Sequence, residues 1–403
     1  MDRAEVVVVG AGLAGGSVAW HLASEVDVLL LEQGAAPGLE ASRQGAGMVR
    51  CLTDDPVERS LAIRTDRFLE DPGEDWQTSP SSQVGAVLAL SRDPHHLHDA
   101  AAHLRAEGVR VEVCDRPGAV APAMEGAPAS WAWYLPDARL ADPGALLAGF
   151  LRGAERRGTR VRCGVRVEGL LVESGRVVGL RTDAGSIHAE RVVLACGAWS
   201  AALAHGLGLQ RPLLPLERTL VRTTSHPLAR GDHPWCWVDD AGIYIRPHTG
   251  GWLCCPCDEQ LRWPEPGPGS RGEANPGAEA WIRARLSRFF PDLGGVDFAE
   301  RWTGLRTFAP DRRPVLGEDP EIEGLWWVAG LGGSGVTWSA AVGEAVATWM
   351  GGGTTSWLRP EDVSPARIHM NRWWTRPDGD RARLTPVSRY PGAGVDLVDA
   401  PAG

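Results

Sequence analysis

The stretch VVVVGAGLAGGSVAWHLASEVDVLLLEQG, residues 6–34, constrains this chain most strongly because it combines a buried strand, a glycine-rich turn and a helix. Four consecutive valines predict a strand of a parallel sheet, and Gly10, Gly12 and Gly15 fit the pattern G-x-G-x-x-G before a helix over GGSVAWHLAS. Gly10 allows a tight turn, Gly12 lets the backbone approach a pyrophosphate, and Gly15 lets the helix pack against its strand. The stretch therefore predicts a dinucleotide site.

A second strand, VDVLLLEQG, ends in Glu32, twenty residues after Gly12. A carboxylate at this position can accept hydrogen bonds from both ribose hydroxyls, and it disfavours a 2'-phosphate, so NADP is not expected. The motif does not separate FAD from NAD. A strand, turn and helix without any ligand is the plainer alternative.

Composition limits the remaining possibilities. The 403 residues have room for two or three domains, of which we expect two, and the net charge of -10 gives no basic field for nucleic acid. Eight scattered cysteines predict reduced thiols, and the first ten residues lack a signal-peptide pattern, so we expect a cytoplasmic protein. The absence of lysine excludes a lysine Schiff base.

Two later segments extend the predicted sheet. The sequence GLLVESGRVVGLRTDAGSIHAERVVLACGAWSAAL predicts a meander of short strands with turns at ESG and DAG, and its strand RVVLACGAW should join the parallel sheet. The apolar run GLWWVAGLGGSGVTWSAAVGEAVATWM, residues 324–350, is long enough for a membrane span. Its central glycines and Glu344 instead favour a strand, a glycine-rich turn and a helix.

Together with GLRTFAPDRRPVLG, these segments resemble the D-amino acid oxidase superfamily of FAD-dependent oxidoreductases from about residue 4 to residue 367. YLPDARLADPGALLAGFLRGAERRGTRV and AGIYIRPHTGGWL are most similar to the D-arginine and D-amino acid dehydrogenase branches, with glycine oxidases also near. The resemblance implies an α/β fold with a Rossmann-like, GR2-type FAD-binding domain and a second, α+β substrate domain on an antiparallel sheet. The implied ranges are 1–83, 141–213 and 305–367 for the FAD domain, 84–140 and 214–304 for the substrate domain, and 368–403 for a C-terminal extension.

The resemblance also implies a resident FAD. Sarcosine oxidases attach their flavin to a cysteine, but this chain has Gly304 near that position, so noncovalent binding is expected. The implied FAD-binding residues are Gly10, Gly12, Gly15, Glu32, Gln33, Ser42, Arg43, Gly45, Ala46, Gly47, Met48, Val167, Cys196, Gly197, Trp199, Arg306, Gly332, Gly333, Ser334, Gly335, Val336 and Thr337.

Three residues are the catalytic candidates. Tyr244 in GIYIRP and Arg306 in GLRTF match the family's ligands for the substrate carboxylate, and Arg218 in PLERTLVR aligns with a further pocket arginine. A guanidinium binds a carboxylate through two parallel hydrogen bonds, and a phenol can add a third. A structural ion pair is the alternative for each arginine, and filling a strand face is the alternative for Tyr244.

The implied reaction is hydride transfer from the α carbon of a D-amino acid to the flavin, giving an imino acid that hydrolyses to a keto acid and ammonia. Oxygen or a quinone would then accept the electrons. Two alternatives remain. The enzyme could oxidise an N-alkyl amino acid or a 2-hydroxy acid, or the chain could be a flavin-bearing subunit that acts only with a partner. A cationic substrate side chain is not expected, because VGAVLAL lacks the acid found in the nearest branch and Met48 replaces its pocket histidine.

No metal site is predicted. GWLCCPCDEQ holds three thiols, but strand alternation places Cys255 and Cys257 on the opposite face from Cys254, and no partner C-x-x-C occurs.

Overall fold

The structure, a computed structural model, describes residues 2–91, 95–209, 211–269, 271–272 and 276–368. The predicted C-terminal extension, residues 368–403, lies outside the described residues except for Ile368.

The described residues form nineteen strands: β1 (Asp2–Val9), β2 (Val28–Glu32), β3 (Ser81–Gln83), β4 (Ala86–Leu90), β5 (Glu112–Val113), β6 (Trp131–Leu135), β7 (Arg139–Ala141), β8 (Arg160–Cys163), β9 (Val167–Glu173), β10 (Arg176–Thr182), β11 (Gly185–Leu194), β12 (Leu214–Thr223), β13 (Trp235–Val238), β14 (Ile243–His248), β15 (Gly251–Cys255), β16 (Gln260–Leu261), β17 (Phe298–Phe308), β18 (Val315–Glu318) and β19 (Leu325–Ala329).

The α-helices of the same residues are α1 (Leu13–Leu22), α2 (Pro56–Glu70), α3 (His95–Ala106), α4 (Pro117–Val120), α5 (Pro143–Arg156), α6 (Ser200–His205), α7 (Pro276–Phe289) and α8 (Gly335–Met350). Short 3-10 turns lie at Pro122–Met124, Gly197–Trp199, Pro291–Leu293, Pro360–Asp362 and Pro365–Arg367. In the part of the chain that the structure describes, no helix combines the length and apolar character that crossing a bilayer requires.

The first sheet has the strand order β18-β19-β11-β1-β2-β8, and β10 and β9 extend it beside the start of β11. β1 runs parallel to β2 and β11, so that Val9 lies opposite both Leu31 and Leu194. The parallel strands therefore end at one edge of the sheet, where ligands bind in open α/β folds. The predicted α/β fold is confirmed, and so is the meander of short strands, which corresponds to β9, β10 and β11. The strand, glycine-rich turn and helix predicted for residues 324–350 are also confirmed, as β19 and α8.

Helices cover one face of the first sheet. α1 packs against α5 and α8, and α2 also packs against α8. α5 begins where the sequence provides both a cap and a first-turn proline, since Asp142 accepts hydrogen bonds from the amides of Gly144 and Ala145 (2.8 and 3.0 Å) and Pro143 follows it. α2 begins in the same way at Asp55 and Pro56.

The second sheet has the order β16-β12-β15-β14-β13-β4-β6-β5, with β17 paired along β12. It is antiparallel except for the pair β13 and β4, which run parallel. These two strands come from separate segments of the chain, so no hairpin forces them to be antiparallel. β3 and β7 form a small third sheet.

The predicted domain limits stay a prediction. The first sheet takes its strands from residues 2–32, 160–194 and 315–329, and the second takes its strands from residues 86–135 and 214–308. The predicted limit between residues 304 and 305 falls inside β17, which continues in the second sheet as far as Phe308.

Candidate active site

A cavity of about 950 Å³ is lined by residues that follow strands of the first sheet and by side chains of the second sheet. The three predicted catalytic residues and most of the predicted FAD-binding residues line this cavity. Those that line it are Gly10, Gly12, Glu32, Gln33, Ser42, Gly45, Ala46, Gly47, Met48, Val167, Cys196, Gly197, Trp199, Arg218, Tyr244, Arg306, Gly332, Gly333, Ser334, Gly335, Val336 and Thr337.

Gly15 and Arg43 are not among the lining residues. Gly15 has a packing role, because a Cβ on this residue would lie 1.9 Å from the carbonyl oxygen of Gly10. Arg43 lines a separate cavity of about 580 Å³ beside Pro268 and Trp302. The role of these two residues in FAD binding therefore stays a prediction.

The glycine-rich turn leaves room for a ligand backbone at the start of α1. Gly10 has a φ of +102°, and a Cβ there would lie 2.6 Å from the carbonyl oxygen of Ala195. A Cβ on Gly12, the N-cap of α1, would lie 2.9 Å from Oγ of Ser42, which itself accepts a hydrogen bond from the amide of Leu13 at 3.0 Å. Side chains would fill this cradle, so the turn fits a pyrophosphate placed at the helix N-terminus.

Glu32 lies at the end of β2 beside this turn. Its Oε2 accepts a hydrogen bond from the amide of Ala11 (3.0 Å), and its Oε1 accepts one from the amide of Gly34 (2.7 Å). A carboxylate offers about four lone-pair positions, so it can accept two further hydrogen bonds from a ribose. The residues at this end of the cavity therefore fit a dinucleotide without a 2'-phosphate on its ribose, such as FAD.

The remaining predicted FAD-binding residues lie on the segment 42–48, at the start of β9, after β11 and at the start of α8. The hydroxyl of Thr337 donates to the carbonyl of Met48 at 3.0 Å, which joins the 42–48 segment to α8. The indole of Trp199 donates to the carbonyl of Glu265 at 2.9 Å and so binds the segment between β16 and β17 of the second sheet. Burial raises the pKa of Cys196 to about 11, so its thiol stays neutral at physiological pH.

Arg306 lies on β17 with only 7% of its surface exposed. Its Nη1 donates to the carbonyl of Leu305 (3.0 Å), and its Nη2 donates to the carbonyl of Gln44 (2.6 Å). Burial lowers the pKa of Arg306, but a guanidinium remains protonated at physiological pH. Two of its five N–H donors are therefore held by the backbone, which fixes the plane of the group.

Arg306 differs from the other arginines that line the cavity. Within the described residues its hydrogen bonds go only to backbone carbonyls, whereas each of the others pairs with a carboxylate. These pairs are Arg50 with Asp239 (2.9 Å), Arg166 with Glu168 (3.3 Å), and Arg218 and Arg312 with Glu259 (both 2.7 Å).

Tyr244 lies on β14 directly opposite Trp237 of β13, and the two ring centroids are 4.8 Å apart. The guanidinium of Arg50 covers the indole of Trp237 at 4.5 Å from its centroid. Tyr244 is 7% exposed, and burial raises its pKa well above the usual value of a phenol. Its O–H therefore stays protonated, and it hydrogen-bonds with the thiol of Cys255, which lies directly opposite on β15.

The sequence reasoning missed Glu259 and Arg312. The side chain of Glu259 has no exposed surface, and Arg312 has a φ of +69°, which is uncommon for a residue with a side chain. Burial opposes ionisation of Glu259, but the hydrogen bonds and charges of Arg312 and Arg218 prevail and lower its pKa below the usual value. The only signal in the sequence was the acidic pair DE, separated by two residues from the end of the buried strand β15.

Comparisons with known proteins agree with this geometry. The model of the family described as FAD dependent oxidoreductase (DAO) matches residues 5–349. The 4-methylaminobutanoate oxidase (formaldehyde-forming) of Paenarthrobacter nicotinovorans is 31% identical over 364 residues, which cover 86% of this chain but only 44% of that protein. This chain thus spans less than half the length of that relative.

A shorter relative matches over nearly its whole length. The D-amino acid dehydrogenase of Paramagnetospirillum magneticum is 28% identical in an alignment that covers 92% of this chain and 99% of that protein. Among solved structures, the L-proline dehydrogenase from P. horikoshii aligns with a TM-score of 0.80 at 22% identity, over 93% of this chain and all of that one. At this identity, the structural likeness concerns the fold.

Proposed function

Because this chain belongs to the family of FAD dependent oxidoreductases, we propose that it oxidises the CH–NH bond of an amino acid, preferably a D-amino acid. FAD would be bound noncovalently as a resident cofactor, with the first sheet in an FAD domain and the second in a substrate domain. The likeness to a D-amino acid dehydrogenase over nearly all of both chains supports this substrate class.

The residues present fit FAD. Gly10 and Gly12 provide space for the pyrophosphate at the start of α1, and Glu32 has acceptor capacity left for the ribose. The residues Gly332–Thr337, at the start of α8, would lie along the flavin. Bound FAD supplies the acceptor for the two electrons that leave the substrate.

The observation that carries the proposal is the state of Arg306. A buried charge is costly unless it is paired, yet the hydrogen bonds of this guanidinium within the described residues go to two carbonyls and to no carboxylate. Three N–H donors remain on a plane fixed by the backbone, and the cavity lies beside them. This arrangement favours an anionic group of the substrate, and a carboxylate matches the fork of a guanidinium.

Tyr244 would complete the clamp. Its neutral phenol would exchange its hydrogen bond with the Cys255 thiol for a third hydrogen bond to the carboxylate, and Trp237 restrains the ring from the neighbouring strand. When the carboxylate is fixed, the α carbon can move only by rotation about its bond to the carboxylate. This restriction lowers the entropic cost of bringing the α carbon to the flavin. If the amine binds in its neutral form, no side chain has to remove its proton before oxidation.

The product would be an imino acid, formed by loss of a hydride from the α carbon and a proton from nitrogen. Water then adds to the C=N bond in solution, which yields a keto acid and ammonia. The chain's own residues bind and orient the substrate, and oxygen or a quinone would reoxidise the cofactor.

Oxidation of an N-methyl amino acid is the second candidate. The relative that is 31% identical carries the name 4-methylaminobutanoate oxidase (formaldehyde-forming), which supports this alternative. The two reactions differ in their products, since a free amino acid gives ammonia and an N-methyl group gives formaldehyde.

The deciding experiment is anaerobic bleaching of the flavin in the purified protein. D-amino acids, L-amino acids, N-methyl amino acids and 2-hydroxy acids are added separately, and ammonia and formaldehyde are then assayed. We expect bleaching by D-amino acids with ammonia as product. Bleaching by N-methyl amino acids alone would establish the second candidate, and no bleaching by any compound would contradict both.

A further inference from the structure

Glu259 joins Arg218 and Arg312 in a charged cluster on the wall of the cavity. Its Oε1 accepts hydrogen bonds from Arg218 (2.7 Å) and Arg312 (2.8 Å), and its Oε2 accepts another from Arg312 (2.7 Å). All three residues line the cavity, and the two guanidinium groups lie 5.4 and 4.5 Å from the ring centroid of Phe308. The cluster is thus fixed by charge and by packing.

The cluster lies next to the proposed carboxylate site. β12 and β17 are antiparallel, with Arg218 opposite Gly304 and Arg306 opposite Leu216. Directly opposite residues share a face and the side-chain period of a strand is two, so Arg218 and Arg306 project from the same face of the sheet. They are diagonal neighbours across Gly304, where Oε1 of Gln44 fills the space that a side chain would take. Arg218 is therefore placed where a second carboxylate of a substrate could reach it.

We propose that Glu259 is a specificity-determining residue that restricts the cavity to amino acids with a single carboxylate. This inference rests on the proposed function, because it takes Arg306 as the ligand of the α-carboxylate. Glu259 already occupies Arg218 and places a negative charge at the position that a side-chain carboxylate would take. A dicarboxylic substrate would have to approach this charge or displace it from both arginines.

Displacement is unfavourable for a physical reason. Glu259 has no exposed surface, so a competing carboxylate would leave an ionised group buried with fewer partners. Two carboxylates cannot share one guanidinium without like-charge repulsion. The cluster consequently excludes a second acid while leaving Arg306 open.

The test uses the FAD-loaded enzyme and two ligands that cannot react. Propionate represents one carboxylate and succinate represents two, and calorimetry gives the dissociation constant of each. We expect the wild-type enzyme to bind propionate more tightly than succinate. Glu259→Gln removes the charge at nearly constant size, and it should improve the succinate-to-propionate affinity ratio by at least about tenfold, the equivalent of one charged hydrogen bond.

Glu168→Gln is the matched control, because it makes the same chemical change at another cavity-lining glutamate, whose partner is Arg166. It should leave the ratio at its wild-type value. Arg312→Gln provides a second test in the opposite direction, and it remains informative if Glu259→Gln does not fold. Removing a positive charge from the cluster should lower the ratio further.

Two results would overturn the proposal. One is an unchanged ratio in a folded, FAD-loaded Glu259→Gln enzyme, and the other is a ratio that rises in Arg312→Gln. Failure of the proposed function looks different, since the wild-type enzyme would then bind neither ligand and Arg306→Met would change nothing.

Discussion

Replacing Arg306 by methionine tests the central interaction of the proposed site. Methionine keeps much of the volume of the side chain but removes the charge and all five N–H donors. The proposed fork makes two charge-assisted hydrogen bonds of about 1.5–3 kcal/mol each, so the expected loss is about 3–6 kcal/mol, or about 10²- to 10⁴-fold in kcat/KM.

The same substitution also has a structural cost. The carbonyls of Gln44 and Leu305 lose their donor, and each buried acceptor left alone costs about 1–3 kcal/mol of stability. Melting temperature and FAD content are therefore measured beside kcat/KM and the dissociation constant of propionate. Arg306→Lys retains the charge without the fork and should recover only part of the activity.

Arg166→Met is the matched control. Arg166 also lines the cavity, but it pairs with Glu168 and 46% of its side chain is exposed, so its loss should change kcat/KM by less than about threefold. A loss below tenfold in Arg306→Met, in protein with normal FAD content and melting temperature, would refute the reasoning. The carboxylate would then be bound elsewhere.

Three further perturbations test other parts of the site. Tyr244→Phe should raise KM by about tenfold through one lost hydrogen bond, and its pH profile should keep the basic limb of the wild type, because burial keeps the Tyr244 phenol protonated beyond its usual pKa of about 10. Gly15→Ala should lower stability by at least about 1–3 kcal/mol, measured by urea unfolding, since its Cβ would meet the Gly10 carbonyl at 1.9 Å. Gly231→Ala, where a Cβ meets nothing within 4 Å, serves as its control. Glu32→Gln should weaken FAD binding by about tenfold or more in a fluorescence titration, and unchanged affinity would exclude Glu32 as a ribose ligand.

The sequence predicted features that depend on neighbours along the chain. The strand before Gly10, the helix after it and the position of Glu32 all follow from one short stretch, and the structure has them where the pattern places them. Strand alternation also separated Cys254 from Cys255 correctly, since the two thiols lie in different core clusters. Period and spacing are sufficient for such predictions because the backbone geometry fixes them locally.

The charged cluster could not be predicted in this way. Glu259 and Arg312 are 53 residues apart in sequence, and they meet because β16 pairs with β12 while the chain after β17 turns back at a residue with positive φ. No periodicity in either segment indicates this pairing. Likewise, the sequence matched Arg306 to the carboxylate ligand and Arg218 to a further pocket arginine, but it did not show that Arg218 pairs with Glu259. Long-range pairing of charges thus decides which arginine is open to a ligand.

The strand order of the first sheet has a consequence for how the protein is made. β1 is synthesised well before its neighbour β11 and before β19, and Leu194 of β11 pairs with Trp327 of β19. A growing chain must therefore carry the apolar strand Val6–Val9 without its partner on one side until β11, residues 185–194, has been made. The residues Gly332–Thr337, which line the cavity, are made after β19. The cavity lining is therefore complete only after these residues have been made, and a ribosome that stalls before β19 leaves an exposed sheet edge prone to aggregation.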